Sequence, residues 1–103
     1  MALLKNLAKV IRSKNAGALQ ITLDVMFADE ATYARVRDSG ALNAHDIARL
    51  YGLSHNEVSV IPYPAATAIK ITFPRRAPSG EIGDSDVYGA QQHAPLLDIA
   101  VPD

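Results

Sequence analysis

The sequence predicts an α+β domain, with a mostly antiparallel sheet of four to five strands carrying two main helices. Three observations predict it. Apolar and polar residues alternate in runs at 19–27, 57–61, 67–73 and 96–102, the period of half-buried strands. Between the first and second runs lie two stretches with apolar residues at helical spacing, each opened by a capping side chain. The five residues PYPAA join the second and third runs, and so short a connection favours antiparallel pairing.

Taken in order, residues 3–11 (LLKNLAKVI) suit a helix face through Leu3, Leu4, Leu7 and Ile11, and a strand entry through Val10 and Ile11. A short element packed on the sheet is expected there. Residues 12–17, RSKNAG, read as a loop. The next strand spans about 19–27, with Ile21, Leu23 and Val25 on one side and Thr22, Asp24 and Met26 on the other. Asp29 caps a helix that carries Tyr33 and Val36 on one face and that Gly40 closes. Asn43 opens a second helix, with Asp46 three residues on. Ile47, Leu50 and Tyr51 form its apolar face and Gly52 its end.

EVSVI and TAIKITF then form a hairpin across PYPAA, which keeps Pro62 and Pro64 outside the strand interiors. Residues 74–95 are rich in Pro, Gly and polar groups, and long loops of this kind usually carry function or lack order. The closing LLDIAVP reads as a last strand that docks into the sheet and ties that loop at both ends. No internal repeat or linker divides residues 1–103, which read as a single domain.

Composition narrows the function. The chain has 103 residues, 49% of them hydrophobic and 20% charged, with a formal net charge of -1. A near-neutral, slightly acidic domain lacks the basic surface that nucleic acid demands. Aromatics make up only 6% and include no Trp, and Tyr33 and Tyr51 fall at core-like helical positions, so no base-stacking platform is expected. The stretch ALNAHDIARLYGLSHNEV has the look of a DNA-reading helix pair, but its partner helix has the wrong spacing. There are no cysteines, so disulfides and thiolate metal sites are excluded. No apolar run approaches a membrane span, and Lys5, Lys9 and Arg12 interrupt the start where a signal peptide needs a continuous apolar core. A cytoplasmic protein is expected, with no nucleic-acid or membrane partner.

Two polar clusters carry the candidate chemistry. The first is Arg12, Ser13, Lys14, Asn15 and Gly17. Arginine offers a planar fork that matches a carboxylate or phosphate at two points. Lys14 adds a point charge, Ser13 and Asn15 add neutral donors, and Gly17 permits a positive φ or a close approach of backbone to ligand. These are the parts of an anion cradle, although the segment is no Walker sequence and a solvated turn uses the same residues.

The second cluster is Asp84, Asp86, Tyr88, Gln91, Gln92 and His93. A histidine or carboxylate here can move a proton. Their spacing matches no metal motif, neither HxH, HExxH nor an EF-hand loop, so no metal is expected. Asp24 follows RSKNAG directly on the next strand and either pairs with Arg12 or Lys14 or simply faces outward. Arg75 and Arg76 read as a strand end or a basic rim. His45 and His55 read as solvent-facing. No cofactor is indicated.

IRSKNAGALQITLDVMF and PSGEIGDSDVYGAQQHAPLLDI resemble the signature segments of a small uncharacterised bacterial family, a domain of unknown function about as long as this chain. Its members accompany AtuA-like proteins, a larger family named for acyclic terpene utilisation. RSKNAG followed by a strand also resembles the RSGDKG-type opening of the ferredoxin-like domain that ends some AtuA-like proteins, with Lys14, Asn15 and Ala16 departing from that form. The resemblance implies a ferredoxin-like sandwich, an AtuA-like partner, and catabolism of an organic acid or acyl compound.

Residue by residue it covers Arg12, Ser13, Lys14, Asn15, Ala16 and Gly17, and Gly83, Asp84, Asp86, Tyr88, Gly89, Gln91, Gln92 and His93. Three readings follow. An accessory subunit would lend Arg12 and Lys14 to a composite site for a small carboxylate or acyl thioester, with His93 or Asp84 moving a proton in a hydratase or lyase step. A homo-oligomer would turn over small carboxylates alone. A non-catalytic binding or regulatory module would do neither.

Overall fold

The computed structural model describes residues 1–17, 19–74 and 96–102. The chain opens with β1 (Ala2–Leu3) and a single helical turn, α1 (Leu4–Leu7). It continues through β2 (Val10–Asn15), β3 (Gln20–Met26), α2 (Glu30–Ser39) and α3 (Ala44–Tyr51). After a short 3₁₀ turn at His55–Glu57 come β4 (Ser59–Tyr63), a second 3₁₀ turn at Pro64–Ala66, and β5 (Ala68–Pro74). The last described strand is β6 (Ala100–Val101). The fold is α+β, as the alternation predicts.

Four strands form one antiparallel sheet in the order β2-β3-β5-β4. Its pleat sorts side chains strictly. Ile21, Leu23 and Val25 of β3 share one face with Ile69, Ile71 and Phe73 of β5, their cross-strand partners. All six are buried, and they form one core with Tyr33 and Val36 of α2 and Ile47 and Ala48 of α3. The helices therefore cover this face. Leu23, Val25, Val36, Ile47 and Ile71 are fully enclosed, and each such side chain contributes about 1.5–3 kcal/mol by leaving water. Tyr51 lies against Phe73 with ring centroids 4.5 Å apart, and burial pushes its hydroxyl pKa well above the usual range.

The helix ends match the sequence. Asp29 accepts the Thr32 backbone N–H at 2.7 Å, and Asn43 accepts that of Asp46 at 2.8 Å. Gly40 closes α2 at a φ of 73°, in the left-handed region. No helix among the described residues is long and apolar enough to cross a membrane.

Four expectations need correction. Arg12 to Asn15 are not a loop: they are the last four of the six residues of β2, paired residue by residue with Asn15 opposite Ile21 and Arg12 opposite Asp24. Polar side chains hid this strand, because β2 is an edge of the sheet among the described residues, and an edge tolerates charge. Pro62 lies inside β4 rather than outside it. β4 is the other edge of the sheet, and only an edge has room for a residue that lacks an N–H.

The last strand does not join the main sheet. β6 pairs with β1 in a separate two-stranded sheet, and residues 96–98 ahead of it form a turn. Residues 3–11 are not one element but the end of β1, α1 and the start of β2. Leu4 and Leu96 carry this terminal layer into the main core, both fully buried.

Candidate functional site

The face of the sheet turned away from the helices carries the described part of the site. Strand pairing lays out its rows. Arg12 stands opposite Asp24, Asp24 opposite Lys70, and Lys70 opposite Ile61. The next row runs Lys14, Thr22, Thr72 and Ser59. A third holds Val10, Met26, Ala68 and Tyr63. The face thus gathers three cations around one carboxylate among the described residues.

The carboxylate is sunk and the cations are not. The Asp24 side chain is 12% exposed and Arg12 57%, with Arg12 Nε donating to Asp24 Oδ2 at 3.4 Å. Short side chains of a central strand stand below the long stems on the strands beside them. Lys70, the neighbour of Asp24 on the other flank, turns its ammonium over the Tyr63 ring instead, 5.1 Å from the centroid. Lys14 is exposed and has no ion-pair partner among the described residues. The described residues of this face carry three cations against one carboxylate, although the chain as a whole carries -1.

The pleat divides the first polar cluster. Arg12 and Lys14 point to the open face. Ser13 and Asn15 point to the core side, with Ser13 7% exposed and Asn15 half-buried. A cradle of four consecutive donors therefore does not form, and the two charges alone reach an anion on the open face. Gly17 sits in the turn at a φ of 101°. Space for a Cβ there is open to 4 Å, so within the described chain it is the positive φ that calls for glycine. Ala16 N–H donates to the Gln20 carbonyl at 2.9 Å and closes the turn.

Asp84, Asp86, Tyr88, Gln91, Gln92 and His93 lie outside the described residues, as do Arg75 and Arg76. The described chain leaves the sheet at Pro74, directly opposite Gln20, beside the turn that carries Gly17. Lys70 and Tyr63 escaped the reading of the sequence. The signal was present for Lys70: alternation in TAIKITF sets it on the face opposite Ile69 and Ile71. Only the pairing of β5 with β3 places it next to Asp24. Among the described residues no group of three histidines or carboxylates is arranged to hold a metal.

A family model described as a domain of unknown function, DUF4387, matches residues 4–100. The chain belongs to this family. No curated protein and no solved structure gives a match. The DUF4387 match spans both polar segments, 12–17 and 83–93, and so takes in the strand that carries Arg12 and Lys14.

Proposed function

We propose that this DUF4387 chain is a small accessory subunit. It lends an anion-binding sheet face to a larger AtuA-like partner in the catabolism of an organic acid or acyl compound. The observation that carries the reading is the Arg12–Asp24–Lys70 row, with Lys14 beside it, on the face that the helices do not cover. Arg12 supplies the fork and Lys14 the point charge for a small carboxylate, or for the phosphates of an acyl thioester. Val10, Ile61 and Tyr63, each about two-fifths exposed, flank the charges at the two sheet edges. Apolar area rimming a charged face suits coverage by another protein.

The named partner enters from the resemblance of IRSKNAGALQITLDVMF and PSGEIGDSDVYGAQQHAPLLDI to proteins that accompany AtuA-like chains. The ferredoxin-like assignment enters the same way. Helices on one face of a four-stranded antiparallel sheet agree with it in layering. The order of the main elements, two strands, two helices and two strands, differs from the β-α-β-β-α-β succession of that fold. A hydratase or lyase step in the composite site would draw its proton carriers, His93 and Asp84, from the second polar segment. The sheet face would hold the substrate's negative charge.

The test is purification of the tagged chain from its native lysate, with mass spectrometry of what accompanies it. A near-stoichiometric AtuA-like protein is expected, released when Arg12 and Lys14 are both replaced by Ala. A chain that elutes alone, or only with copies of itself, overturns the subunit reading.

A further inference from the structure

A recess lies between α3 and the 3₁₀ turn at His55–Glu57, and shares no residue with this face. It has a volume of about 480 Å³ and is lined by His45, Arg49, Ser54, His55 and Asn56, over a floor of Ala48 and Leu53. His45 and Arg49 are four residues apart on α3 and so project from one side of the helix. His55 comes from the 3₁₀ turn beyond it. The two imidazole rings stack with centroids 5.8 Å apart and planes 29° from parallel. Histidines ten residues apart on different elements are thereby brought face to face.

With both rings protonated, Arg49 and the two imidazoliums outnumber the nearby carboxylates, Asp46 and Glu57, by one charge, and the recess then favours an anion. Two carboxylates lie close by, and both are engaged. Asp46 accepts from the Asn43 amide at 2.9 Å and lies 3.9 Å from His45 Nδ1. Glu57 accepts the Ser54 backbone N–H at 2.9 Å. Arg49 has no ion-pair partner among the described residues. A permanent guanidinium, two imidazole rings, a hydroxyl and an amide share one concavity. Two facing imidazoliums repel each other, and a dianion between them relieves that repulsion. A metal ion would instead meet the guanidinium.

We propose that this recess binds the phosphate group of a small ligand, with Arg49 as its fixed charge and His45 and His55 as its pH-dependent donors. The site is independent of the sheet face. Proton uptake and anion binding are reciprocal here: acid tightens the anion, and the anion holds the protons on the rings.

The experiment is a titration of the full chain with sodium sulfate, followed by amide and histidine ring NMR signals, with ionic strength held by chloride. Sulfate keeps its two charges throughout, so any pH dependence belongs to the protein. Inorganic phosphate is the second probe. Saturable shifts are expected at residues 45–56, with affinity at least about tenfold lower at about pH 8 than at about pH 5.5. At the lower pH, Arg49→Ala and His55→Ala each weaken binding by about fivefold or more, whereas Arg37→Ala, a cation outside the recess, does not. In wild type, sulfate moves both histidine titrations to higher pH. The proposal is overturned by shifts that do not saturate, by equal affinity at both pH values, or by binding indifferent to Arg49→Ala. Shifts centred on Arg12 and Lys70 would overturn it too, while leaving the sheet-face reading standing.

Discussion

Replacing Asp24 by Asn separates binding from folding on the open sheet face. The change keeps the shape of the side chain and removes its charge. Asp24 is held by Arg12 at 3.4 Å, but Arg12 is 57% exposed, so the pair contributes no more than about 1 kcal/mol to stability. That corresponds to a fall in Tm of at most roughly 4–8 °C for a domain of this size. Binding moves the other way. Take an anion on Arg12 and Lys14 at a separation of about 8 Å from the Asp24 carboxylate. Like charges at about that distance repel by roughly 0.5 kcal/mol in bulk water and roughly 2 kcal/mol near a protein surface.

Removing the repulsion tightens the anion by roughly 2- to 30-fold. Arg12→Ala has a comparable effect on Tm and the opposite effect on affinity. Thermal melts with calorimetric titration of acetate at low ionic strength read both quantities on the same samples. An Asp24→Asn chain that melts slightly lower and binds acetate no more tightly refutes the argument. The cations would then serve only to keep an edge strand from pairing.

Three more outcomes follow from the geometry. Gly17→Ala lowers stability by about 1–2 kcal/mol through backbone strain, because the positive φ of 101° and not crowding is the obstacle. A loss near zero in denaturant melts would contradict it. Tyr33 is 1% exposed, with Arg37 over its ring, and its hydroxyl has no hydrogen-bond partner of good geometry among the described residues. Tyr33→Phe is therefore neutral or stabilising, within about 0.5 kcal/mol, and a loss above about 1 kcal/mol in urea titration would reveal a partner.

Asp29 has a folded pKa below its usual value, chiefly because it accepts the Thr32 backbone N–H. A lowered folded pKa means that its stabilisation is fully present above the ordinary carboxylate range and fades as pH falls through the lowered value. Asp29→Ala should therefore depress Tm at neutral pH and converge on wild type in acid. A gap independent of pH would exclude the capping charge as its source.

The parts of this fold that local chemistry decides were legible in the sequence. Asp29 and Asn43 announce helix starts because a side chain that satisfies orphan N–H groups acts within three residues. The alternation of Ile21, Leu23 and Val25 announces β3 because one face of that strand is dry. β2 was opaque for the same reason inverted. Arg12 and Lys14 face water at a sheet edge, so no apolar period marks them. The destination of β6 was opaque because two residues pair with β1 across nearly the whole chain. Of the candidate site, the Arg12–Asp24 pair could be anticipated from adjacent segments, whereas Lys70 and the stacked His45 and His55 are products of pairing and packing.

The pairing of Ala2 with Val101 has a consequence for how the domain can be connected. Entry and exit of the chain stand one strand spacing apart, about 4.8 Å. A host protein could accept the whole unit within a single surface loop, with little displacement of the loop's own ends. The same closeness lets the ends be joined and the chain reopened elsewhere. The core would then be unaltered in a circular permutant, and only the order of synthesis would change.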